Sequence, residues 1–301
     1  TTVDTTVAAR AYSRNTIYYD PRITYRPWRN ADGSFMADTP FTAVYTDANF
    51  VGGDTSNLAN LGVAQRRFHV PRPDATDLSN ARSYYRYEFT SATAAQRCQL
   101  PTTGTTWSCT AITQFAYTFP DGQTLTRSLA DERANFANWY SYHRTRMKVA
   151  KAGTSYAFNE IGDNVRVGFR TIWNRNSFDI PVGTDEGLFR GNNRDVWFDR
   201  LFNAEGSGGT PLRSSLRSAG QYFSSDSSSG PWGPGARETH LSCRQNFAIL
   251  TTDGYWNVDS GFTEADGDDA NGPVITGPEG QTFQYVPARP YMDGHSNTLA
   301  D

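Results

Sequence analysis

Thr210 and Asp253 are the residues whose type and setting could do chemistry. Thr210 stands in GGTPLRSSL and Asp253 in TTDGYW, so a hydroxyl where a helix should begin is followed by a carboxylate just past an apolar run. Both side chains offer oxygen. A hard divalent cation asks for oxygen ligands in a near-octahedral array, which makes Mg²⁺ the first expectation, with Ca²⁺ and Mn²⁺ as alternatives. Both residues also have plain structural readings. Thr210 can be the N-cap of its helix, and Asp253 can open a turn with Gly254. Tyr255 and Trp256 stand two and three residues beyond Asp253, where they could pack on a docked ligand or anchor the loop from inside.

Other chemistries find less in the chain. The acidic loop EADGDDAN gathers Asp266, Asp268, Asp269 and Asn271, but Ala270 stands where a calcium loop needs its third ligand, so it reads as a solvated loop. His69, His143, His240 and His295 show no zinc spacing. No G-x-S-x-G nucleophile elbow and no G-x-x-x-x-G-K phosphate loop occurs. Asp131 and Glu132 read as first-turn residues that favour a helix dipole. A carboxylate pair for sugar chemistry is defined by spatial separation, so a secreted carbohydrate-binding module or carbohydrate-active enzyme with an aromatic platform is the alternative reading. Trp232, Trp256, Tyr255 and Tyr291 are its candidate surfaces.

Charge narrows the partners. The 28 basic residues are scattered among 31 acidic ones for a net charge of −3, which gives no electrostatic footprint for nucleic acid or a membrane surface. No apolar run reaches the length of a membrane span. Cys98 and Cys109 bracket CQLPTTGTTWSC, a short Thr/Gly-rich turn, and are expected to form a disulfide suited to an oxidising compartment. Cys243 is then left as a small buried apolar side chain or as the partner of a cysteine outside this chain.

These residues need elements to position them. Residues 1–127 carry short strand-like runs, Thr16 to Tyr19, Ile23 to Trp28, Ser83 to Phe89 and Ala111 to Phe119, punctuated by Asp32-Gly33, Gly52-Gly53 and Asp121-Gly122, and so read as a β-rich module with long loops. Phe136, Trp139, Tyr140, His143, Met147 and Ala150 then recur at helical spacing, and Ser128 with Asp131 forms a capping pair, which predicts a helix over about 129–152. Asn164 to Trp173 alternates like a strand, and a short helix is expected near Asn193 to Asn203. Thr210 is placed as N-cap and Pro211 as first residue of a helix whose face is Leu212, Leu216, Ala219 and Phe223. Phe247 to Leu250 reads as a strand covered on both faces in a parallel sheet, with Asp253 at its carboxyl end, where α/β sheets hold ligands. A hairpin is expected around Gly277 to Gly280, with Thr282 to Val286 as one strand.

The pairing of GGTPLRSSL with an apolar strand and TDG some forty residues later resembles the second and third motifs of the metal-ion-dependent adhesion site of von Willebrand A domains. NTIYYDPRITYRPW, NFANWYSYHRTRMKVAKA, TPLRSSLRSAGQYF, CRQNFAILTTDGYWN and TFQYVPARPYMDGHSNTLAD together resemble the PilC/PilY family of type IV pilus tip-associated adhesins. The resemblance implies an α/β fold, a von Willebrand A-like (Rossmann-type) sheet with helices on both faces. Residues 1–127 would be a β-rich insertion and 128–301 the incomplete core. It further implies export through the periplasm of a Gram-negative bacterium to the pilus tip, cell surface or extracellular space, and partners among pilus tip or minor pilin proteins and host-cell or surface ligands. The work would be binding, not catalysis. The family's first site motif, D-x-S-x-S, has no counterpart at the right spacing. Asp226 in SDSSSG and Asp259 in DSGFT are the nearest, and the motif is expected upstream of Thr1.

Overall fold

The computed structural model describes residues 6–173, 177–206, 208–235, 245–252, 257, 271–277 and 280–288. Two compact units divide the chain, one of residues 1–162 with 201–206 and one of 163–200 with 207–301. The first includes residues 128–162 as well as 1–127.

Its strands are short and antiparallel. After a single helical turn, α1 (Thr6–Ala9), come β1 (Val44–Tyr45) and β2 (Thr55–Ser56), which pair with each other. Strands β3 (Arg67–Pro71), β4 (Tyr84–Phe89), β5 (Ala95–Gln99) and β6 (Ser108–Ile112) form a four-stranded sheet in that order, and β7 (Gln114–Thr118) with β8 (Thr124–Ser128) form a hairpin. Alternation sorts the faces: Phe115 and Tyr117 of β7 are buried while Gln114, Ala116 and Thr118 are exposed. Phe68, Tyr87 and Phe89 from the sheet, Phe115 and Tyr117 from the hairpin, and Tyr19 and Phe136 make one aromatic core.

Helix α2 (Leu129–Tyr142) closes that core, and it starts where the sequence predicts. Ser128 Oγ accepts from the Asp131 amide at 3.1 Å and donates to the Asp131 carboxylate at 2.6 Å. The expected single helix is instead two, because the chain breaks at His143 and Thr145 becomes the N-cap of α3 (Arg146–Asn159), its hydroxyl accepting from the Lys148 amide. Thr145 is a good cap residue, and its hydroxyl also donates to the Ala48 carbonyl at 2.6 Å, a contact an unbroken helix would forgo.

The runs Thr16 to Tyr19 and Ile23 to Trp28 do not become strands. Their backbone is bonded by helix side chains. Asn135 accepts from the Tyr25 amide at 2.7 Å and donates to the Ile23 carbonyl at 2.8 Å; Trp139 Nε1 donates to Ile17 O and Asn138 Nδ2 to Tyr25 O. Glu132 is fully buried, accepting from Tyr19 Oη at 2.6 Å and from Arg127 at 3.2 Å. Burial raises its pKa, and the hydrogen bond from Tyr19 and the charge of Arg127 pull it back.

In the second unit, Asn164 to Trp173 keeps only one antiparallel bridge, Phe169 with Phe178, in place of the expected strand. Its arginines reach elsewhere: Arg166 donates to the Gly233 carbonyl, and Arg170 bonds Asp179 and Ser218. Helix α4 (Gly191–Phe202) falls where a short helix is expected, and α5 (Leu212–Phe223) follows. The expected hairpin is present as β9 (Val274–Thr276) and β10 (Thr282–Gln284), turned at Gly277 and Gly280. Residues 245–252 form no strand, and Phe247 and Ile249 are each 77% exposed. The described residues thus mix helices with small antiparallel sheets. The expected parallel sheet with helices on both faces has no counterpart among them, because no strand pairs with the apolar run that was to be its centre.

Two predictions follow from this packing. Asn138→Ala strands the Thr39 amide and the Tyr25 carbonyl in the interior and should cost about 2–3 kcal/mol in a urea titration, whereas Val149→Ala on the exposed side of α3 should stay within about 0.5 kcal/mol. Burial, with the nearby Arg67 charge, pushes the His69 imidazole down to about 4 from 6.5. The unfolded chain binds a proton between those values that the folded chain refuses, so the stability due to neutral His69 is complete above pH 6.5 and is lost as pH falls toward 4. Between pH 7 and 4, His69→Gln should lose roughly 3 kcal/mol less than wild type in denaturation series at each pH.

Candidate functional site

The site begins with two adjacent glycines. Gly208 has φ of +84°, and a Cβ there would lie 2.8 Å from Trp173 Nε1; a Cβ on Gly209 would lie 2.6 Å from Asn257 Oδ1. Only glycines admit such neighbours. Trp173 Nε1 donates to the Gly209 carbonyl at 2.5 Å. The Thr210 amide donates to Asn257 Oδ1 at 2.7 Å, and the Asn257 amide donates back to the Thr210 carbonyl at 3.2 Å. Asn257 closes the segment TTDGYWN. The structure therefore brings the GGTP loop against a residue four positions beyond Asp253.

Thr210 does not cap α5, which corrects the expected helix start. Pro211 occupies the cap position with ψ of 68°, no side-chain capping bond is made there, and the Leu212 amide donates to the Thr210 carbonyl in a tight turn. The reason lies in the backbone: Thr210 is held by Asn257 in both directions, so its chain direction is set before the helix begins. Thr210 is half-buried, and its hydroxyl makes no capping bond at the helix start.

Helix α5 is tied down at its C-terminal end. Tyr222 Oη accepts from the Ile180 amide at 2.9 Å, Arg170 lies 4.8 Å over the Tyr222 ring, and Trp232 Nε1 donates to the Phe223 carbonyl at 2.8 Å. Trp232, a candidate sugar platform, is half-buried against Phe223. Asp253, Tyr255, Trp256, Asp259, Tyr291, Cys243 and residues 264–270 of the acidic loop lie outside the described residues. Among the described residues, no three His, Cys, Asp or Glu side chains gather to hold a metal. By residue type, the hydroxyl of Thr210 and the carboxylate of Asp253 are donors that suit a hard cation.

Sequence reasoning singled out Thr210 and did not single out Trp173 and Asn257, which bond the backbone of its loop. The signal was the glycine pair, which marks a close approach of other groups to the backbone. Elsewhere, Cys98 and Cys109 form the expected disulfide across β5 and β6. No helix among the described residues is long and apolar enough to cross a membrane. Asn257→Ala should speed exchange of the Thr210 amide roughly tenfold, read by hydrogen–deuterium exchange, while the amides within β4 keep their protection.

No protein-family profile matches the chain. No solved structure matches it either. It is 30% identical over 307 residues to the type IV pilus biogenesis factor PilY1 of Pseudomonas aeruginosa strain PAO1, an alignment covering 96% of this chain and 24% of that protein. The PilY1 proteins of strains PAK and UCBPP-PA14 are 35% identical over 57% of the chain and 28% identical over 98%, covering 15% and 24% of their lengths. The chain thus spans about a quarter of the PilY1 proteins that it matches along most of its length.

Proposed function

The chain belongs to the PilY1 family of type IV pilus biogenesis factors, and on that premise we propose that it is the ligand-binding segment of such a factor, acting outside the cell by adhesion. Thr210 and Asp253 would hold a divalent cation, Mg²⁺ first, with Tyr255 and Trp256 beside it where a partner docks. The observation that carries this reading is the pair of hydrogen bonds joining Thr210 to Asn257, a residue four positions beyond Asp253 in the sequence. The hydroxyl's absence from the helix start favours it as well.

A cation held by one hydroxyl and one carboxylate keeps most of its shell for other ligands. A partner's carboxylate can enter that shell, and its charge strengthens the bond. On this reading, binding at the pilus tip to a host-cell or surface ligand, or to pilin proteins during assembly, depends on the metal and needs no covalent step. On this reading the protein's contribution is to fix the donors in place, and the glycines and the bonds to Asn257 support it at Thr210.

Titrating Mn²⁺ into the full-length protein that carries this segment, with free ion read by electron paramagnetic resonance, tests the site. Asp253→Ala should weaken binding at least tenfold with an unchanged circular dichroism spectrum, and Asn257→Ala should weaken it about tenfold through Thr210. Adhesion of piliated cells should fall with chelator and return with Mg²⁺. Equal Mn²⁺ affinity in wild type and Asp253→Ala would overturn the metal site while leaving family membership untouched.

A further inference from the structure

One cross-strand row of the four-stranded sheet carries chemistry that the adhesion reading does not use. His69, Arg86, Cys98 and Cys109 stand directly opposite one another across β3, β4, β5 and β6, so their side chains share a face. The guanidinium of Arg86 is enclosed, its side chain 15% exposed, and lies 4.5 Å over the Trp107 ring. Its Nη2 approaches both sulfurs of the disulfide, at 3.6 Å from Cys98 and 3.7 Å from Cys109. The Glu88 carboxylate is 3.9 Å from Nε, too far for a hydrogen bond, and Nε has no partner. A buried cation thus leans on two weak acceptors and is paired with Glu88 only at long range, without a hydrogen bond. The two cysteines also differ in access: Cys98 is fully buried and Cys109 is exposed.

We propose that Cys98–Cys109 is a thiol-exchange site with a fixed polarity, open to a small-molecule or protein thiol. The incoming thiolate attacks Sγ of Cys109, the accessible sulfur. A new bond forms between the two, the Cys98–Cys109 bond breaks, and its electron pair leaves on Cys98 Sγ as a thiolate. Arg86 receives that anion at the contact it already makes, which stabilises the leaving group. The product is a mixed disulfide on Cys109. It either reverts when Cys98 attacks it or yields to a second thiolate, which takes the added thiol away as a disulfide and leaves both cysteines reduced. Reaction in the opposite sense would need a thiolate to reach a buried sulfur.

The test uses glutathione on the oxidised, folded protein, with any free thiol, Cys243 included, first capped by N-ethylmaleimide. After acid quench and alkylation of the newly released thiol, peptide mapping reads which cysteine carries glutathione. The adduct should sit on Cys109 in at least roughly tenfold excess over Cys98, and exchange should be faster in the folded chain than in urea. A leaving thiol about two pK units more acidic speeds exchange on the order of tenfold, so Arg86→Gln should slow it by that factor and Arg86→Lys should restore much of the rate. An adduct divided evenly or found on Cys98, slower exchange in the folded chain than in urea, or equal rates in wild type and a folded Arg86→Gln protein would each overturn the proposal. Should Arg86→Gln fail to fold, the wild-type adduct position and the comparison with urea decide it.

Discussion

The constraint on which the first unit depends is that a chain of some thirty residues with almost no strand pairing must still satisfy its backbone. From Ile17 to Asn49 the chain is mostly irregular yet passes over buried ground, and each buried carbonyl or amide left unbonded would cost about 1–3 kcal/mol. Side chains of α2 and α3 answer that demand nearly in register. Trp139 bonds Ile17, Asn135 bonds Ile23 and Tyr25, Asn138 bonds Tyr25 and Thr39, Ser141 bonds Tyr45, and Asn159 bonds Asn30. The aromatic sheet then has a floor to pack on. Helix α2 is consequently buried on two sides, one apolar against the sheet and one polar against the chain.

That double burial decides what could be read from sequence. The apolar spacing of Phe136, Trp139 and Tyr140 and the Ser128 cap are local signals, and the structure keeps both. Asn135, Asn138 and Ser141 are polar at helical spacing and by pattern belong on a solvated face, yet all three are buried. Their partners are about a hundred residues away, so nothing near them in sequence announces the role. The same long-range bonding explains why Thr16 to Tyr19 and Ile23 to Trp28 look like strands and are not. Their composition suits a strand, but Thr16 to Tyr18 turns, the Tyr18 amide donating to the Asn15 carbonyl, and the donors and acceptors of both runs are taken by a helix.

The candidate site repeats the lesson on a smaller scale. Thr210 was legible because a hydroxyl before a proline and an amphipathic run is a strong helix-start pattern. The pattern misplaced its role by one position, since the two-way bond with Asn257 fixes Thr210 before the helix can use it. Gly208 and Gly209 carried the missing information. Two glycines where one would suffice for a turn mean that something presses on the backbone from outside, and Trp173 and Asn257 are what press. Phe247 to Leu250 shows the opposite failure. An apolar run of strand length fixes no partner, and the described residues supply none.

The same need for donors accounts for the chain's odd use of lysine. Lys148 and Lys151 are its only lysines, and both are buried. Lys148 donates to the Tyr45 carbonyl at 3.1 Å, and Lys151 to those of Asn49 at 2.9 Å and Phe202 at 2.7 Å, while Arg144 and Thr145 take Thr46 and Ala48 between them. Single carbonyls at varied angles suit a compact amine with rotatable donors. The planar fork of arginine suits carboxylates, as where Arg22 grips Asp20 and Arg72 grips Asp74. Burial is the main force pushing Lys148 down to about 7 and Lys151 to about 8. The unfolded chain holds those protons up to about pH 10.4, so the lysines' contribution to stability is greatest above that value and declines as pH falls through the folded values. A neutral amine still donates two hydrogens. The loop over residues 45–49 thus keeps its hydrogen bonds whether or not the ammonium survives, an option a guanidinium could not give it.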